Sequence, residues 1–221
     1  MKLLTVSVGL PRDLTWNEQD IRTAIIKSPV RGRVALHTLN LDGDRQADLS
    51  VHGGRNKAVY CYPIEHYDAW MAELPWRREW PHGTFGENFT TEGLLEDAVH
   101  VGDRFAIGSA EIVVTQPRMP CYKLGAHFRS DDIIRRFLAA GRPGFYVAVT
   151  REGEVGAGDA IAVVSRDPHA VSVSDLWRLR HAKTFAARDV DIARRAVQVE
   201  WLPNGWKDAF RAVLASDHRA D

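Results

Sequence analysis

The segment Thr115-Gln116-Pro117-Arg118-Met119-Pro120-Cys121-Tyr122-Lys123-Leu124 sets a thiol between two cations on a stiffened stretch of chain. A β-branched run meets two prolines three residues apart, and proline both fixes φ and removes a ladder donor, so the backbone must leave the sheet there. Cys121 falls just beyond that exit. Arg118 and Lys123 lie close in sequence, and nearby cations favour the thiolate, the form that attacks electrophiles or ligates metals. Most cysteines are small buried hydrophobes, however, and spacing alone leaves both readings of Cys121 open. Cys61, between Tyr60 and Tyr62 in a strand-like run, reads as core.

A second segment, Val51-His52-Gly53-Gly54-Arg55-Asn56-Lys57, pairs glycines with two cations. Successive glycines let backbone N–H groups turn toward an anion, and Arg55 and Lys57 add charge. The Walker spacing is absent, and an ordinary turn explains the glycines equally. Upstream, Asn40 to Asp48 resembles a calcium loop but lacks the glutamate that closes it. A third segment, His82 to Thr91, is glycine-rich and polar ahead of a strand. In it Asn88 can both donate to and accept from a heterocycle edge. The nine histidines include no HExxH pair, and the chain has no CxxC, so a structural or catalytic zinc site is not indicated. Six of the seven tryptophans lie near expected helices and read as packing residues.

Short strands must position these segments. Ile21–Ile26, Val30–Leu39, Lys57–Tyr62, Val99–Ile107, Ala110–Gln116, Phe145–Thr150 and Ala160–Val164 are β-branched or aromatic runs, and most are bounded by turn residues. Val99-His100-Val101 and Ile112-Val113-Val114, with Gly108-Ser109 between, predict a hairpin. Without strand–helix alternation the pattern predicts a barrel or sandwich. Helices are expected over Ile64–Leu74, after Pro63, and over Asp131–Ala140, ending at Gly141. Beyond residue 165 the texture changes. Ser172 and Asp175 fit a capping box, and Ala186–Val197 and Gly205–Leu214 are amphipathic. A mainly β domain over 1–165, followed by a three-helix unit over 170–217, is the expected division. A unit of about fifty residues sits near the size where a core is marginal, so it should lean on the β domain.

The chain has 221 residues, with Lys+Arg and Asp+Glu at 29 each. A formal charge of zero argues against a protein built to grip nucleic acid, which needs surplus cations. Two cysteines suit a reducing compartment. The apolar N-terminal stretch meets Pro11 too soon for a secretory leader, and no run nears the ~18 apolar residues of a membrane span. A cytoplasmic protein that uses neither nucleic acid nor membrane is expected.

Taken together, the motif blocks resemble a known family. Leu41-Asp42-Gly43-Asp44, His52-Gly53-Gly54 with Lys57-Ala58-Val59-Tyr60, Phe85-Gly86-Glu87-Asn88, and Gln116-Pro117-Arg118 with Pro120-Cys121-Tyr122-Lys123-Leu124 are similar to the MOSC family of molybdenum-cofactor proteins, in its YiiM-type branch. The resemblance extends over nearly the whole chain, including the helical end. It implies a MOSC-type β-barrel that binds molybdopterin, with Cys121 as the molybdenum ligand and Cys61 dispensable. It also implies reduction of N-hydroxylated compounds, such as N-hydroxylated bases, to N–H products. Soft thiolate suits such a metal. Within that frame His52, Gly53, Gly54 and Lys57 are candidates for the pterin phosphate. Arg118 and Lys123 add cofactor contacts, Arg118 also a place beside the reacting group, and Asn88 is assigned to pterin or substrate. The chain has no GxGxxG and no four-cysteine set, so electrons are expected from a separate flavin-type reductase. The rival readings are a sulfur carrier using a Cys121 persulfide, or a cofactor-transfer protein, and a non-catalytic anion-binding module. The terminal helices could cover the thiol's mouth, only brace the sheet, or make a homodimer contact.

Overall fold

The computed structural model describes residues 1–48 and 53–217. Its centre is an eight-stranded sheet built from β1 (Lys2–Val8), β4 (Ser28–Pro29), β6 (Val59–Pro63), β7 (Phe89–Glu92), β8 (Arg104–Ile107), β9 (Ala110–Pro117), β10 (Phe145–Arg151) and β12 (Ile161–Ser165). The order is β12-β8-β9-β10-β6-β7-β1-β4. All neighbours are antiparallel except β6 and β7. Two hairpin-like pairs lie outside it: β2 (Arg12–Trp16) with β3 (Gln19–Thr23), and β5 (Arg33–Leu36) with β11 (Gly153–Gly156).

Among the described residues the eight strands run in an open order and no closed barrel is found. The two ends of the sheet nevertheless approach. Ala160 bridges Lys2, and the Ile161 N–H donates to the Met1 carbonyl at 3.0 Å. The Leu3 N–H also donates to the Asp159 carbonyl at 2.9 Å, and the Gly158 N–H to the Leu3 carbonyl at 2.8 Å. Six helices make the molecule mixed rather than mainly β: α1 (Glu65–Glu73), α2 (Tyr122–Phe128), α3 (Ile133–Ala140), α4 (Val173–His181), α5 (Ala187–Ala196) and α6 (Asn204–Asp217).

The helix starts follow local chemistry. Ser172 Oγ accepts from the Asp175 N–H at 3.0 Å and caps α4, satisfying a donor that has no partner inside the helix. Asp189 reaches back to the Ala186 N–H at 2.9 Å to begin α5. Gly141, at φ +66°, ends α3 in the left-handed region, as a helix-stopping glycine should. The apolar faces then join one core. Phe105, Val114 and Val147 of the sheet belong to the same buried cluster as Leu176, Ile192, Leu202 and Phe210 of the helical end. A second cluster, rich in rings, packs Tyr62, Trp70, Phe85, Phe128 and Phe137 together.

Several local expectations shift. The run Val99–Ile107 is not one strand, because only 104–107 enter the sheet. The Asp103 carboxylate accepts from the His100 N–H at 3.0 Å and turns the chain. Val101 N–H then donates to the Val171 carbonyl and Val173 N–H to the Val99 carbonyl, both at 3.0 Å. Val99 and Val101 are therefore buried against the lead-in to α4, and the hairpin across Gly108-Ser109 uses 104–107 instead. Val30–Leu39 shrinks to Arg33–Leu36. The strand expected from Lys57 begins at Val59, after a single 3-10 turn over Arg55–Lys57.

Candidate functional site

β9 runs out at Pro117, and the two prolines carry the chain off the sheet as expected. Cys121 sits immediately before α2 with an extended backbone (φ −130°, ψ 169°) and is partly exposed, while Cys61 is buried in β6. Burial pushes the Cys61 thiol far above its ordinary proton affinity, so it is inert.

Cys121 opens onto a cleft of about 630 Å³, counted out to its mouth. The cleft gathers five of the sequence-chosen residues: Cys121, Arg118, Lys123, Lys57 and Asn88. It also contains residues that sequence reasoning missed, among them Lys27, Asp44, Arg45, Tyr60 and Tyr146. Of these, Asp44 and Tyr60 belong to motif blocks already singled out, whereas Lys27 merely follows the Ile21–Ile26 run and carries no signal.

Arg118 is the most informative of these. It is 5% exposed and lies over the rings of Tyr60 and Phe137, 5.1 Å from each centroid. Its Nη1 is buried with no hydrogen-bond partner. Burial opposes its charge, yet its proton affinity is not lowered and the guanidinium stays charged. A buried cation with an unspent donor, in a cleft wall, is poised for an anion. Lys123 is 8% exposed and forms no ion pair among the described residues. Burial lowers the proton affinity of Lys57.

Asn88 is differently occupied. Its Oδ1 accepts from the Tyr60 N–H at 3.2 Å and its Nδ2 donates to the Ser7 carbonyl at 3.1 Å. The amide thus clamps β6 to β1, leaving one donor and one lone pair. The loop before it is organised by buried Glu87, whose carboxylate accepts from the N–H groups of Gly83 (2.7 Å) and Phe85 (2.9 Å) and from the hydroxyls of Thr90 (3.2 Å) and Tyr67. Gly86, at φ +81°, lets Ile25 approach so closely that a Cβ would stand 2.7 Å from Ile25 Cγ1. That contact seats Thr23–Lys27 along the cleft.

Gly53 and Gly54 are placed elsewhere. They line a neighbouring cleft of about 950 Å³, with Arg55, Met119, Arg180 and Trp206. Gly54 has φ +91° and a Cβ there would meet nothing, so its demand is conformational. Lys57 lines both clefts, and the helical end walls the second one. Trp206 of α6 donates its indole N–H to Gln116 Oε1 at 2.8 Å. His52 lies outside the described residues. Among them no group of three or more His, Cys, Asp or Glu side chains could hold a metal, and no helix is long and apolar enough to cross a membrane.

The sheet-rich fold thus presents one accessible thiol beside buried cations in a single cleft. The MOSC domain model matches residues 48–162, and the chain belongs to the MOSC domain family. It is 36% identical over 213 residues to the uncharacterized protein YflK of Bacillus subtilis (strain 168), covering 96% of each chain. It is 43% identical over 145 residues to protein YiiM of Escherichia coli (strain K12), 65% of each chain. A reductase of Gibberella moniliformis (strain M3125 / FGSC 7600) is 32% identical over 169 residues, which is 76% of this chain but 30% of that protein. The crystal structure of YiiM from Geobacillus stearothermophilus superposes with a TM-score of 0.77 at 28% identity, covering 96% of this chain and 98% of that one.

Proposed function

We propose that this chain is a molybdenum-cofactor-dependent oxidoreductase that reduces N-hydroxylated small molecules to their N–H forms. The observation that carries the reading is the unpartnered buried Nη1 of Arg118 in the wall of the cleft that holds the Cys121 thiol. The residues present fit the cofactor. Its anionic groups would meet Arg118, Lys123 and Lys57, and its metal would take the single protein thiolate of Cys121, the rest of the coordination coming from the cofactor itself. Membership of the MOSC family and likeness to a protein named reductase support a redox role.

When bound, the group would supply the two electrons that break the N–O bond. The chain supplies the rest. Arg118 and Lys123 neutralise charge in a partly dry cleft, where such interactions count for more than in water. Tyr60, fixed by its hydroxyl to the Pro143 carbonyl at 2.7 Å, holds Arg118 in place through its ring. Asn88 keeps β6 and β1 in register beneath them. A separate flavin-containing reductase supplies the electrons, and the helical end borders the approach through the second cleft.

The test is to purify the protein from molybdenum-replete cells, measure bound molybdenum and pterin, and assay N-hydroxylated base reduction with a reduced viologen. Bound cofactor with turnover is expected. Cofactor without turnover would favour a carrier that uses a Cys121 persulfide or hands the cofactor on. Neither would leave an anion-binding module.

A further inference from the structure

We propose that Lys27, held by Asp44 in the wall of the Cys121 cleft, is the proton donor to the hydroxyl that leaves an N-hydroxylated substrate. This rests on the reductase reading above. The reaction R–NH–OH + 2e⁻ + 2H⁺ → R–NH₂ + H₂O breaks an N–O bond, and its electrons come from the flavin-type reductase. Oxygen leaves poorly as hydroxide, so one proton must reach it as the bond breaks, and a second reaches nitrogen.

Few groups in the cleft can give that proton. The described residues lining it include no histidine and no glutamate. Arg118 is held charged, and the Tyr60 hydroxyl is committed to the Pro143 carbonyl. Burial holds the Tyr146 phenol protonated, and Cys121 is the metal ligand in this reading. Lys27 remains. Its side chain is 8% exposed and that of Asp44 is 2% exposed, and the two form an ion pair. Asp44 Oδ1 also accepts from the Gly9 N–H at 2.8 Å, so the carboxylate is fixed by the backbone.

An ion pair this buried is expensive, since two charges lose water. A tie between two loops is made as well by apolar side chains, whereas a cleft wall that must release a proton needs an acid. The charged groups facing Lys27 are Asp44, from the β5–β6 connection, and Glu87, from the loop before β7. Burial lowers the proton affinity of Lys27, while Asp44 and more weakly Glu87 hold the proton on. The net direction is downward, so this ammonium gives up its proton more readily than a free lysine does. Its neutral form recovers a proton from water at the cleft mouth.

The test uses the molybdenum-loaded protein with benzamidoxime and a reduced viologen, with metal content measured on every variant. Lys27→Met and Lys27→Arg are expected to keep molybdenum and KM, to lose kcat by about 10²- to 10⁴-fold, and to lose the alkaline limb of the pH profile. Asp44→Asn keeps an acceptor for Gly9 and should move that limb to lower pH, because the ammonium loses its counter-charge. That shift is a readout no merely structural role gives, and it stands if Lys27→Met fails to fold. Unchanged kcat and limb in a loaded Lys27 variant would overturn the proposal. So would molybdenum loss that parallels the rate loss, which would make Lys27 a cofactor contact. A loaded wild type that does not turn over would overturn the reductase reading and this inference with it.

Discussion

Arg118→Met separates a residue kept for a ligand from one kept for the fold. In the ligand-free chain the substitution removes two ring contacts at 5.1 Å, each worth about 0.5–2 kcal/mol. It also removes a buried orphaned donor, a liability of about 1–3 kcal/mol, and methionine fills much of the volume. The terms nearly cancel, so thermal unfolding of the ligand-free variant should stay within a few degrees of wild type. The bound state differs. A charge-assisted hydrogen bond to an anion contributes about 1.5–3 kcal/mol, so cofactor affinity should fall about 10- to 140-fold. Calorimetric unfolding, measured beside molybdenum and pterin content after growth under identical conditions, decides it. Severe destabilisation would make Arg118 a structural cation. Unchanged cofactor content would place the anion elsewhere.

Other perturbations follow from the same geometry. Iodoacetamide should alkylate Cys121 in the native protein and reach buried Cys61 only after unfolding; Cys121→Ser should lose molybdenum, and Cys61→Ala should retain it, as measured by metal analysis. His127 donates to the Thr84 carbonyl at 3.0 Å, and burial, aided by Arg77, lowers its proton affinity to about 4. The unfolded chain binds this proton first, so stability should be full above about pH 6.5 and fall by about 3 kcal/mol as pH drops through 4; His127→Gln, followed by denaturant titration, should flatten that slope. Truncation after Val164 should give insoluble or unfolded protein by circular dichroism, because Leu176, Ile192, Leu202 and Phe210 complete the core around Val114; a stable truncated domain would refute that shared core.

Much of the site was legible because its chemistry is local. The Pro117–Cys121 exit and the flanking Arg118 and Lys123 follow from contiguous residues and one strand end, whereas the cleft they share with Lys57 was expected only through the family resemblance. What escaped is long-range or conformational. Lys27 reaches Asp44 across seventeen positions of chain, and nothing in either segment marks the pairing. Helix α2 was missed because Pro120 before it and Gly125 inside it both argue against helix, yet Leu124 and Phe128 bury one turn apart in the ring-rich core. The β2–β3 hairpin is mostly exposed and turns on Asn17 and Glu18 at positive φ, so no apolar alternation betrays it. Val99 and Val101 look like strand because buried β-branched residues read alike whether a ladder or a helix lead-in takes their hydrogen bonds. Asn88 was assigned to a ligand on side-chain chemistry alone, whereas much of its amide is taken up by two backbone groups.

In the proposed function this cleft carries a molybdenum cofactor through Cys121. The most direct measurement is molybdenum K-edge X-ray absorption on the purified protein and on Cys121→Ser, with metal counted per chain. One molybdenum per chain with a sulfur ligand that disappears in Cys121→Ser is expected. A metal-free wild type from molybdenum-replete cells, or an identical sulfur shell in the variant, would contradict it.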